Sequence, residues 1–230
     1  MVRKSFQEEL SHLRNDILQM GNLVENAIDI TTVALVNQDL ELAEKVVRED
    51  DSIDLLQLAI ENRCLSLLAL QQPMARDLRF IGTALKINTD LERMGDYARN
   101  ISKIVIEIGT EPLVTSLVDL SRMAELTQQM LKENLTAFVQ QDRDLALHAA
   151  MQDREVNRLY KDTFTELAGL ITWDAGAVTQ AVHLMFISRY LERIGDHATN
   201  MSEWIIYMIT GERLELGDMS LMPHEKETEE

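Results

Sequence analysis

LERMGDYARN, Leu91–Asn100, returns one hundred residues later as LERIGDHATN, Leu191–Asn200, with seven of ten positions identical. The letters kept are polar residues and glycine as much as core hydrophobes. The repeat extends upstream of the motif. Val36–Ala43 matches Val139–Ala146, and Asp50–Asp54 matches Asp153–Asn157, both at an offset of 103. The motif itself recurs at 100, so about three residues are lost between the second and third helices of the second half. Two copies are too few for a solenoid, and the simpler reading is one duplicated three-helix unit. The expected fold is all-α: two tandem three-helix bundles related by a pseudo-twofold axis. The first covers residues 1–110 and the second 111–212, followed by an acidic, disordered tail at 213–230.

Composition agrees with that reading. Hydrophobic residues make up 46% of the 230, aromatics only 5%, and the chain has 9 Gly and 3 Pro. Leu, Ala, Glu, Met and Ile favour helix over strand. Helical periodicity predicts six helices near 9–37, 39–71, 73–107, 115–141, 142–171 and 174–211. Asp39 and Asp142 read as N-caps, Pro73 as a helix start, and Gly109 and Gly211 as helix ends. The net charge of -17 argues against nonspecific nucleic-acid binding and against direct adhesion to anionic membranes. Cations and basic protein surfaces are the natural partners. Cys64 stands alone in an apolar run, which excludes an internal disulfide and favours a reducing compartment. No run approaches the roughly 18 apolar residues of a membrane span. The start MVRKSFQEEL lacks a signal peptide's apolar region, so a cytoplasmic location is expected.

On a helix, Glu92 and Asp96 lie about 40° apart, and Asp50 and Asp54 bear the same relation one helix earlier. If helices two and three run antiparallel around a turn at 71–73, Asp50 is level with residue 94 and Asp54 with residue 90. All four carboxylates then share one height. The second half repeats the placement with Asp153, Glu192 and Asp196, while Asn157 replaces one acid. Four close acids cannot all ionise without positive charge, so bases intervene, protons are retained, or a metal sits there. Arg99 and Lys103 share the face of Glu92 and Asp96 and supply an ion-pair alternative. Thr199 and Glu203 replace those bases in the second copy, leaving Glu192, Asp196 and Glu203 in line. Gly95 and Gly195 flank the same face and leave room for a helix or an ion. No nucleophile elbow, Gly-rich phosphate loop or Cys/His ribbon occurs.

With the paired LERMGDYARNI and YLERIGDHATNM, the upstream Asp-x-x-x-Asp and the Glu203…Tyr207…Gly211 ending, the chain resembles the PhoU family of phosphate-transport accessory regulators. The resemblance covers about residues 5–212. It implies paired three-helix bundles that hold multinuclear metal clusters, usually iron or zinc, on E/D-x-x-x-D motifs. Carried over, the first site is Asp50, Asp54, Glu92 and Asp96. The second is Asp153, Glu192 and Asp196, with Asn157 a departure and Asn200 and Glu203 outer candidates. The resemblance also implies a homodimeric, non-enzymatic negative regulator of the phosphate-starvation response. Such a regulator links the ATPase of the phosphate ABC importer to a membrane sensor histidine kinase. A carboxylate-bridged metalloenzyme and a metal-free helical scaffold are the competing readings.

Overall fold

The computed structural model describes residues 2–216, with side chains from Phe6 onward, and contains no strand among them. Eight α-helices follow in order. They are α1 (Val2–Asn37), α2 (Leu40–Glu49), α3 (Asp51–Gln71), α4 (Arg76–Ile108), α5 (Val118–Gln140), α6 (Arg143–Met151), α7 (Asp153–Trp173) and α8 (Val178–Thr210). A 3-10 turn at Ala175–Ala177 leads into α8. The pairs α2–α3 and α6–α7 are each one rod interrupted by a residue, so the expected six rods are present. The interruptions fall at Asp50 and Gln152, where Ile53 N bonds Asp50 O and Gln152 N bonds Ala149 O. These i→i−3 bonds tighten the turn without breaking the rod.

The caps are where the side-chain chemistry puts them. Asp39 accepts from the Leu42 amide, and Asp142 from the amides of Asp144 and Leu145. Each follows a glutamine with positive φ, Gln38 at 51° and Gln141 at 56°. Gly109 (φ 68°) and Gly211 (φ 81°) end α4 and α8. Pro73 does not begin a helix: residues 72–75 form the turn and α4 starts at Arg76.

The first bundle is α1, α2–α3 and α4; the second is α5, α6–α7 and α8. Equivalent buried hydrogen bonds pin each. Thr31 Oγ1 donates to Ala98 O (3.2 Å) and meets Ser102 Oγ (2.6 Å). Asn134 Nδ2 donates to Ala198 O (2.8 Å) and accepts from Ser202 Oγ (2.7 Å). The bundles meet where α1 packs on α5 and, more extensively, where α4 packs on α8. At the first contact, a Cβ on Gly21 would lie 2.5 Å from Leu135 Cδ1, so a larger residue there would push the Leu135 side chain aside.

The α4–α8 seam is antiparallel. Arg79 reaches Met208 O, Thr83 reaches Trp204 O, Asp90 meets His197 (2.9 Å) and Tyr97 stacks on Tyr190 (5.6 Å between centroids). As α4 advances from 79 to 97, α8 retreats from 208 to 190. The centre of that register lies between Met94 and Arg193, inside the two motif copies. The pseudo-twofold axis therefore passes through the repeated sequence itself. Asp90–His197 on one side of the axis is the counterpart of Tyr190–Tyr97 on the other. One buried apolar cluster runs through both bundles, including Leu13, Ile87, Met94, Phe138 and Ile194. The halves share a core rather than owning one each.

Arg213, Leu214 and Leu216 of the expected tail pack against the second bundle. Leu216 is buried, its amide donates to Glu203 Oε1 (2.7 Å), and Arg213 lies over the Trp204 ring. Residues 217–230 lie outside the described residues. Cys64 is free and fully buried, and burial pushes its thiol up to about 12.

Candidate metal centre

Close packing of the motif glycines sets the height of each acidic group. A Cβ on Gly95 would meet Ile53 Cδ1 at 2.9 Å, and one on Gly195 would meet Asp153 Oδ1 at 2.9 Å. Thus α3 presses on α4, and α7 on α8, at the level of the acids.

In the first half, Asp50 is only 5% exposed at the start of α3. Arg99, two turns above Glu92 on α4, donates to Asp50 Oδ2 and, at 2.6 Å, to Asp96 Oδ1. Arg93 lies 3.4 Å from Glu92 and 3.3 Å from Asp96. Asp54 is exposed and makes no ion pair among the described residues. Burial, then the Asp96 and Asp54 charges, raises the Glu92 carboxyl above the usual range. Asp50 is also raised: burial outweighs the opposing Arg99 charge. Here a guanidinium occupies the space between two acids that a metal ion would need.

The second half differs at that position, where Thr199 replaces Arg99. Asp153 is 6% exposed and accepts from Asn157 Nδ2 at 2.7 Å through Oδ2, while Oδ1 has no hydrogen-bond partner. Glu192 is 8% exposed; Arg189 donates to Oε1 at 2.7 Å, and Oε2 has no hydrogen bond. Asp196 pairs with Arg193 at 2.6 Å. The Thr199 hydroxyl is buried and also unpartnered. Burial and then the neighbouring Asp196 push Asp153 up to about 6 and Glu192 up to about 7. Burial raises Asp196 too. Unmet buried oxygens among mutually repelling acids call for a retained proton, a water or a cation.

The structure does not gather every candidate. Asn200 is exposed, and Glu203 is engaged by the Leu216 amide. Asn157 faces Asp153 as a hydrogen-bond donor. Among the described residues, no group of three or more His, Cys, Asp or Glu side chains is disposed to hold a metal ion. The helix face of Glu192 and Asp196 also has bases in reach, contrary to the reading of that face as uncompensated. Arg189 and Arg193 lie three residues before each acid and fold along the helix onto it. The i,i+3 spacing, inside the motif for Arg193 and just ahead of it for Arg189, was the available signal. His197 turns away from the acids to Asp90 across the seam.

The PhoU domain family model matches residues 17–105 and again 120–205, the two halves defined by the repeat. The chain belongs to the PhoU family. A Clostridium acetobutylicum relative, a phosphate-specific transport system accessory protein PhoU homolog, is 39% identical over 219 residues, 95% of this chain and 100% of the relative. The Aquifex aeolicus protein of the same name is 42% identical, covering 89% of this chain and 93% of its own. PhoU from Pseudomonas aeruginosa superposes with a TM-score of 0.88 at 36% identity, over 90% of this chain and all of that one. The phosphate transport system regulatory protein PhoU from Streptococcus pneumoniae gives 0.86 at 32% identity, over 91% and 99%. No helix among the described residues is long and apolar enough to cross a membrane.

Proposed function

We propose that the chain is a cytoplasmic accessory protein of phosphate transport that acts by binding rather than catalysis. It restrains the phosphate-starvation response by coupling the importer's ATPase to a sensor histidine kinase, and reaches the inner membrane only through these partners. The names of its relatives support the transport role. The observation that carries the adaptor reading is a difference between the two copies. On α3, Leu55, Leu58 and Leu65 are 70%, 54% and 50% exposed and share one face with Asn62 and Ala69. Their 3–4–3–4 spacing is that of a helix-pairing seam. The equivalent positions of α7 are Arg158, Lys161 and Ala168, with Thr165 and Thr172. A face kept apolar in one copy and polar in the other is not required by the fold.

Asp51, Asp54 and Glu61 border the stripe, on a chain of net charge -17. They suit a partner helix with leucine-type anchors and basic flanks, and they oppose a second copy of the same acidic rim. The triple variant Leu55→Glu, Leu58→Glu, Leu65→Glu should keep its helical content and lose co-purification with the importer's ATPase and with the kinase. Retained capture of both would overturn the assignment. Conversion of a wild-type dimer to a monomer would make the stripe a self-association seam instead.

The same reading includes a cation drawn to the second acidic cluster, where Asp153 and Glu192 keep unpaired buried oxygens beside Thr199. Three convergent carboxylates are not in place among the described residues, so Asp196 would leave Arg193 and turn inward with them to hold it. Iron or zinc are the ions the resemblance implies, and their role there is to neutralise the cluster and tie α7 to α8. Arg99 serves that purpose in the first half, so Asp50, Asp54, Glu92 and Asp96 do not fit a metal as arranged.

A further inference from the structure

Arginines of the described chain mostly sit within ion-pair distance of a carboxylate, as Arg48, Arg63, Arg122 and Arg158 do. Arg14 and Arg76 have no such partner among the described residues, on a chain rich in acid. Both line a polar cavity of about 440 Å3 between α1 and the start of α4, together with Ser11, Asp77 and Gln141. The Arg14 guanidinium lies over Phe80, 5.3 Å from its centroid, and Phe80 stacks in turn on Phe138. Its Nε is buried without a hydrogen-bond partner. Arg76 donates to Gln141 Oε1 and opens the first turn of α4. The cavity thus combines two guanidinium groups, a hydroxyl, and the positive end of a 33-residue helix.

The other end of the pseudo-twofold pair carries none of this. Leu117 and Gly176 stand where Arg14 and Arg76 would fall. There the linker fills the space: Gln180 accepts from the Val114 amide (2.5 Å) and donates to Pro112 O (3.2 Å). Gln38 donates to Gly109 O (3.1 Å) and Glu111 O (2.7 Å). The basic cavity is therefore not a by-product of the repeated fold. It is an addition to one end.

We propose that this cavity binds a phosphate-type oxyanion, orthophosphate or a phosphate monoester, gripped by Arg14 and Arg76. Planar guanidinium forks match two phosphate oxygens at once, and Ser11 can donate to a third. Asp77, which also lines the cavity and has no ion pair among the described residues, accepts from the proton that orthophosphate retains near neutral pH and that a phosphate monoester retains below about pH 6. Sulfate has no such proton and would meet Asp77 as a like charge. The inference stands apart from the adaptor reading and from the acidic clusters.

Calorimetric titration of the full chain at about pH 5.5, where both phosphate forms retain a proton, tests it in the presence of chelator, with sodium phosphate, O-phosphoserine and sodium sulfate at matched ionic strength. Saturable binding of phosphate, phosphoserine or both is expected, with sulfate about tenfold weaker or absent. Binding to orthophosphate alone would identify the free ion as the ligand, and binding to phosphoserine alone a monoester. Arg76→Gln, at an exposed position, should weaken binding about tenfold without unfolding the chain, and Arg14→Gln further. Arg122→Gln on α5 should leave it unchanged. No saturable binding of either phosphate form by the wild-type chain would overturn the proposal. So would equal binding by the Arg76→Gln chain, or equal affinity for sulfate.

Discussion

Arg99→Ala is expected to lower the melting temperature by about 5–10 °C near neutral pH, a loss on the order of 2–3 kcal/mol. The substitution leaves Asp50 buried at 5% exposure and Asp96 half-buried, with no cation between them. Breaking a fully buried pair costs about 3–5 kcal/mol; Arg99 is itself 28% exposed, which places this one lower. The loss should depend on pH with a definite sign. Burial already holds the Asp50 carboxyl above its unfolded value, and removing Arg99 raises it further. The folded state then binds more protons than the unfolded chain above the unfolded value, so stability falls as pH rises. Below about pH 4 the carboxyl is protonated in both states and the difference closes. Asp50→Asn on the same background should restore most of the loss. Thermal melts across pH decide this, and a pH-independent effect or no effect would show that Arg99 does not neutralise the cluster.

The second large effect lies across the pseudo-axis and has the opposite direction. With chelator present, Asp153→Asn with Glu192→Gln is expected to stabilise the chain above neutral pH, by on the order of 2 kcal/mol. Asp153 is pushed up to about 6 and Glu192 to about 7, from ordinary values of 3.8 and 4.5. In the wild-type chain these groups take up protons on folding between about pH 4 and pH 7. Stability contributed by the protonated forms is present at the acid end and lost as pH rises through that window. Neutral isosteres remove the penalty and keep the bonds from Asn157 and Arg189. Denaturant unfolding at pH 5 and pH 8 measures it. Wild-type stability that increases over this range would contradict the burial of unmet charge.

Much of this was legible in the sequence. Asp39 and Asp142 cap the helices they precede, because a short carboxylate at that spacing has few better partners than the free amides. The hairpin register placed Asp50 and Glu92 near one level, and Ile53 against Gly95 confirms it to within a few residues. Three features were less accessible. The interruptions at Asp50 and Gln152 have neither proline nor glycine to announce them. Arginines claimed the acids: Arg93, Arg189 and Arg193 each reach a carboxylate three residues on along their own helix, and Arg99 also crosses to Asp50 at the start of α3. The docking of Leu216 onto Glu203 depends on a backbone amide, which every residue carries and no motif encodes. The seam through the repeated motif was implicit in the duplication. Its antiparallel register required the packed helices to reveal it.

The duplicated acidic faces have diverged: one is bridged by Arg99, and the other leaves buried carboxylate oxygens unmet, where we propose that an ion binds. Equilibrium titration of chelator-stripped protein with zinc and ferrous ions tests this most directly. It should compare wild type, Asp153→Asn/Glu192→Gln and Asp54→Asn/Glu92→Gln, with metal content measured on each. Wild type and the first-half variant should bind with the same stoichiometry, while the second-half variant loses binding. Metal retained by the second-half variant, or lost from the first-half variant, would show that the ion does not sit among Asp153, Glu192 and Asp196.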